Sequence, residues 1–136
     1  MQTISHHTAL VYIMVIVAAA DGAMNDEELF AIGELTRTLP AFKGFDRDKL
    51  VDTARDCSAI LQEDDGLQAA LGLVKEALPG NLRETAYWLA LEVALTDHKV
   101  RLEEVRIVET LRRTLGLDKL TASALERGAQ ARFRTS

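Results

Sequence analysis

Cysteine is nearly missing from this chain: Cys57 stands alone among 136 residues. A single thiol excludes an internal disulfide and a thiolate zinc cluster, and it fits a reducing compartment. Proline occurs only at Pro40 and Pro79 and aromatic side chains are few, while alanine and leucine abound; this is the balance of a helical protein, and no stretch alternates as a strand would. Positive charge is absent from the first 36 residues, Arg37 being the first basic one. The apolar run Ala9–Ala20 therefore lacks the basic flank of a secretory signal, and at about a dozen residues it falls short of the roughly 18 that span a bilayer. It reads as a helix buried on all sides, in a cytoplasmic protein with no direct membrane insertion.

The length suits one domain, covering residues 1–136, with a true core. The net charge of −5 argues against nucleic acid as a partner. That charge is uneven: up to Gly66 there are 12 acidic and 5 basic residues, and beyond it 9 acidic and 11 basic. Gly22, Pro40, the Glu63-Asp64-Asp65-Gly66 turn, Pro79-Gly80 and Gly116 punctuate the chain. Between them the apolar spacing predicts seven helices. These run from Ser5 to about Asp21, from Asn25 to Leu39, from Asp46 to Leu61, from Leu67 to Leu78, from Asn81 to Leu95, through Leu102–Leu115, and onward from Asp118. The fold class is an all-α single-domain bundle.

One pattern occurs twice. Asp21-Gly22-Ala23-Met24-Asn25-Asp26-Glu27-Glu28 returns as Asp97-His98-Lys99-Val100-Arg101-Leu102-Glu103-Glu104, a shift of 76 residues that also pairs Leu29 with Val105, Ile32 with Val108 and Leu35 with Leu111. Helix, acidic turn and helix recur together over about 5–39 and 81–115, as in a duplicated unit. Asp-Gly followed by a spaced Glu looks like the second half of an EF-hand loop. In that register, however, ligand positions fall on Val17, Ala19, Val93 and Leu95, which excludes a true EF-hand.

Each turn then offers half a coordination shell. Glu28 shares a helical column with Ile32 and Leu35, and Glu104 shares one with Val108 and Leu111, so both carboxylates lean inward. Glu27 and Glu103 fall on the outer columns and are weaker candidates. Asp21 and Asp97 end their helices, where the macrodipole disfavours negative charge. Packed about an approximate two-fold axis, Asp21, Glu28, Asp97 and Glu104 would meet as an all-oxygen metal site for a divalent cation, Ca²⁺ or Mg²⁺ before Zn²⁺. The bland reading is structural: Asn25 with Glu28 has capping spacing, and Lys99 and Arg101 bring positive charge to the second turn. His6 and His7 read as exposed, Cys57 as packing and Glu63-Asp64-Asp65 as a solvated turn. No phosphate loop, nucleophile elbow or triad occurs, so no catalytic residue and no organic cofactor is expected.

Ala18-Ala19-Ala20-Asp21-Gly22 with Asp26-Glu27-Glu28 behind it, and Leu95-Thr96-Asp97 with Glu103-Glu104, resemble the TerB-like tellurite-resistance family from about His7 to Gly128. The resemblance implies an all-helical domain similar to the N-terminal domain of DjlA-type membrane co-chaperones, without established enzymatic activity. It also implies a bacterial stress-response role, metal binding at Asp21, Glu28, Asp97 and Glu104, and protein–protein interaction with partners that include membrane-associated stress-response proteins. His98 departs from the family pattern where the first copy has Gly22. Two function classes follow: a metal-binding or metal-sensing module, and a metal-free scaffold whose acidic turns cap helices. A redox enzyme acting on tellurium oxyanions is a third class, with Cys57 as its only thiol. The sequence leaves the oligomeric state open.

Overall fold

The computed structural model describes residues 3–20, 22, 24–96 and 102–135, with the side chain of Leu102 excepted. Among them are seven α-helices and no strand: α1 (His6–Ala18), α2 (Asp26–Thr38), α3 (Leu50–Leu61), α4 (Gly66–Ala77), α5 (Arg83–Leu95), α6 (Leu102–Leu115) and α7 (Lys119–Arg132). Short 3₁₀ turns at Pro40–Phe42, Arg47–Lys49 and Gly80–Leu82 precede or follow them.

The apolar run near the N-terminus dictates the arrangement. Every residue from Ala9 to Ala18 is buried, so α1 has no face to give to solvent and must be covered all round. Its neighbours are α3, α4, α5 and α6, with α2 touching more lightly. Helix α5 repeats the pattern, being buried at Ala86, Tyr87 and throughout Leu89–Ala94, and it packs on α1, α2, α6 and α7. The outer helices are amphipathic; α3 buries only Ala54 and Cys57, and α4 buries Gly66, Ala70, Leu71 and Val74.

Two polar cross-links fasten α7 to α5. The Tyr87 hydroxyl donates to Glu126 Oε2 at 2.7 Å, and Arg132 Nε donates to Glu92 Oε1 at 2.5 Å. Glu92 is buried and also accepts from Trp88 Nε1 at 3.1 Å. This carboxylate, alone among apolar neighbours, would be costly to bury without its guanidinium and indole partners.

Local signals decide the helix ends. Ser5, Asn25 and Asp118 cap α1, α2 and α7 by accepting from the backbone three residues on. The spacing of Asn81 and Glu84 predicts a cap as well, but a 3₁₀ turn occupies Gly80–Leu82 and Leu82 stands at the cap with no side-chain bond. Asp46 likewise caps the turn Arg47–Lys49, and α3 follows it at Leu50. Leu29 and Val105, which the spacing places in the apolar stripes, are 42% and 49% exposed. The inner face of α2 is instead Glu28, Ile32, Leu35 and Thr36.

His6 is exposed, but His7 is packed, with its ring stacked 6.1 Å from Phe42 and edge-on to Phe45 at 5.6 Å. Burial, then the neighbouring His6, lowers its pKa from 6.5. The Ala41 and Lys43 carbonyls pull the other way, yet Nε2 finds no hydrogen-bond partner among the described residues, and burial prevails. The unfolded chain then binds a proton more readily than the folded one, so stability is lost as the pH falls below 6.5. Glu34, Glu109 and Asp118 have lowered pKa values too, but they act only below 4.5. Thermal melts should therefore fall between pH 7.5 and pH 5, and His7→Phe should flatten that fall; an unchanged slope would assign it elsewhere.

Gly66 opens α4 beneath Asp65, which adopts the left-handed conformation at φ 55°. A Cβ on Gly66 would lie 2.0 Å from the Ile60 carbonyl oxygen and 2.9 Å from the Leu61 carbonyl carbon, both backbone atoms. Gly72, on the exposed side of the same helix, has nothing within 4 Å of such an atom. In urea denaturation Gly66→Ala should cost about 1–3 kcal/mol, whereas Gly72→Ala should stabilise by about 0.4–1 kcal/mol. Equal effects at the two positions would contradict this packing.

Candidate functional site

Because α1 and α5 are the buried helices, the chain leaves the core at their C-termini and returns on α2 and α6. The end of α1 lies against the start of α6, enclosing a cavity of about 350 Å³ lined by Ile16, Ala19, Ala20, Glu103 and Ile107 among others. The end of α5 lies against the start of α2, where Thr96 faces Asp26, Glu27, Phe30 and Ala31 across a groove of about 540 Å³. The first turn of α6 thus lies against the end of α1, and the first turn of α2 against the end of α5.

Glu28 and Glu104 are buried, at 3% and 2% exposure, while Glu27 and Glu103 are exposed. Asp21 and Asp97 lie outside the described residues, as do Ala23, His98, Lys99, Val100 and Arg101. Gly22 sits in the first turn at φ 124°, a conformation suited to glycine.

The two buried glutamates stand in different settings. Glu28 completes a capping box: its backbone N–H donates to Asn25 Oδ1 at 2.7 Å and its Oε1 accepts from the Asn25 N–H at 3.0 Å. With Asp26 and Glu27 it also places negative charge on the first turn of α2, where the helix dipole favours it. Glu104 lies on the first turn of α6 and lines a cleft between α5, α6 and α7. Among the described residues no group of three or more His, Cys, Asp or Glu side chains stands together as a metal shell.

Cys57 is fully buried on α3, its thiol 3.9 Å from the Tyr12 carbonyl oxygen, and burial pushes its pKa up to about 12. Such a thiol stays protonated at neutral pH and is no nucleophile. Glu63, Asp64 and Asp65 are all exposed. Glu92 is the buried carboxylate that periodicity passes over; the signal was its being the one charged residue between Thr85 and Thr96.

An all-helical bundle in which each of two buried helices is followed in the chain by a helix with an acidic first turn defines the class. The family model described as tellurite resistance protein TerB matches residues 7–127, and the chain belongs to that family. No curated protein and no solved structure matches it. No described helix is long and apolar enough to cross a membrane.

A thiol reagent should leave Cys57 unmodified in the folded protein on the timescale in which it reacts completely with the urea-unfolded chain. Rapid native modification would reopen the redox class.

Proposed function

We propose that the chain is a non-catalytic, cytoplasmic module of the bacterial tellurite-resistance response that binds a divalent cation between its two acidic turns and acts through contacts with other proteins. The observation that carries this reading is the burial of Glu28 and Glu104, one on the first turn of α2 and the other on the first turn of α6. Carboxylate oxygens withdrawn from water suit a cation, and a divalent ion shared between the turns would fit them. Oxygen donors suit a hard ion, so Ca²⁺ or Mg²⁺ is favoured over Zn²⁺. Glu28 and Glu104 would hold it together with Asp21 and Asp97, and Glu27 and Glu103 would contribute charge from outside.

The metal-free scaffold is favoured by one specific observation, the complete capping box of Asn25 and Glu28. That box accounts for Glu28 Oε1 without any ion. The second turn has no capping asparagine, since Arg101 stands where Asn25 does, and it is the better place to separate the two readings.

Calorimetric titration with Ca²⁺, Mg²⁺ and Zn²⁺ should give saturable heat with at least one. At a hundred times the dissociation constant the cation should add about 2.7 kcal/mol of stability. Asp97→Asn and Glu104→Gln should each abolish that gain. Absence of heat with all three ions would overturn the metal reading and leave the scaffold.

A further inference from the structure

The cleft between α5, α6 and α7 has a volume of about 410 Å³, within the range of roughly 300–1,000 Å³ typical of small-molecule sites. Its apolar walls are Leu91, Ala94 and Leu95 from α5 with Val105 and Val108 from α6. Its polar lining is Glu104, Glu109, Glu126, Gln130 and the Tyr87 hydroxyl, and no basic side chain lines it among the described residues. Val105 remains 49% exposed on its rim, so an apolar surface here is left to water.

The three carboxylates differ. Glu109 is engaged by Arg112 at 2.6 Å and Arg113 at 3.4 Å, and those guanidinium groups hold its carboxyl below the usual range. Glu126 has no such ion pair among the described residues. Its Oε2 accepts a hydrogen bond from the Tyr87 hydroxyl at 2.7 Å, which fixes the carboxylate, and Oε1 has no hydrogen-bond partner among the described residues. Burial and Glu126 both raise the Tyr87 pKa, so the phenol remains the donor at neutral pH. An oriented anion beside an apolar wall is complementary to an ammonium or guanidinium group on an apolar body.

We propose that this cleft binds a small organic cation with an apolar body, its charged nitrogen held by the Glu126 carboxylate and its body laid on Leu91, Leu95, Val105 and Val108. Arg112 and Arg113 offset Glu109, so the Glu126 carboxylate is what turns away an anionic counterpart of the same shape. The site needs no metal, and its anchor Glu126 is not among the residues of the acidic turns, although Glu104 borders both.

The test compares phenylbutylamine with the uncharged phenylbutanol and the anionic phenylbutanoate. Each is titrated into the full chain in the presence of a chelator and followed through the methyl resonances of the cleft leucines and valines. The amine should saturate with an affinity at least about tenfold above the alcohol, and the acid should not saturate. Glu126→Gln keeps an acceptor for Tyr87 and should bring the amine down to the alcohol, while Glu76→Gln, exposed on α4, should leave it unchanged. Val105→Trp should fill the cleft and abolish binding of both. An amine that does not saturate, an acid that binds as well, or a Glu126→Gln protein that binds the amine undiminished would overturn the proposal.

Discussion

A helix with no polar face sets the terms for the rest of the molecule. From Ala9 to Ala18 every side chain of α1 is sealed, which requires other helices on all sides. A second helix of the same kind, α5, lies directly against it. Two such helices in contact cannot each gather a separate shell, so the amphipathic elements wrap both at once. Where the chain leaves α1 and α5 it must turn sharply at the boundary of the core. The acidic first turns of α2 and α6 are thereby set against the ends of α5 and α1 by a constraint unrelated to their charge.

That placement gives the carboxylates their tension. A glutamate on the first turn of a helix is favoured by the dipole, but burial strips it of water, and the two effects oppose each other. At Glu28 the conflict is resolved locally, because Asn25 returns a backbone N–H to the carboxylate. At Glu92, in the last turn of α5 where the dipole disfavours negative charge, burial is offset by Arg132 from α7 and by Trp88 one turn back. The same physical problem thus has a local solution and a tertiary one within a single chain, and the tertiary one also fixes the C-terminal helix to the core.

Periodicity made the buried helices and the inward lean of Glu28 and Glu104 legible, since column position on a helix depends only on spacing. It failed where exposure depends on what lies opposite. Leu29 and Val105 share the spacing of core residues, yet neither is covered by a neighbouring helix. His7 has an ordinary polar environment in the sequence and becomes packed only because Phe42 and Phe45, more than thirty residues on, fold over it. Asn81 and Glu84 have capping spacing, but Pro79-Gly80 starts a tighter turn first. Glu92 was visible as a charge in an apolar run; its partner, forty residues away, was not.

Positions 76 residues apart have not kept equal surroundings. Ile32 is sealed, whereas Val108 lines an open cleft; Leu29 is exposed to solvent, and Val105 stands on the rim of that cleft. The difference follows from α7, which packs on α5 and supplies Glu126 and Gln130 to the far wall. Adding a helix there creates a concave surface, and the Tyr87 hydroxyl orients a carboxylate at its edge. Described residues 76 apart therefore differ by what is packed beside them: Glu28 completes a self-contained cap, whereas Glu104 lines a cleft.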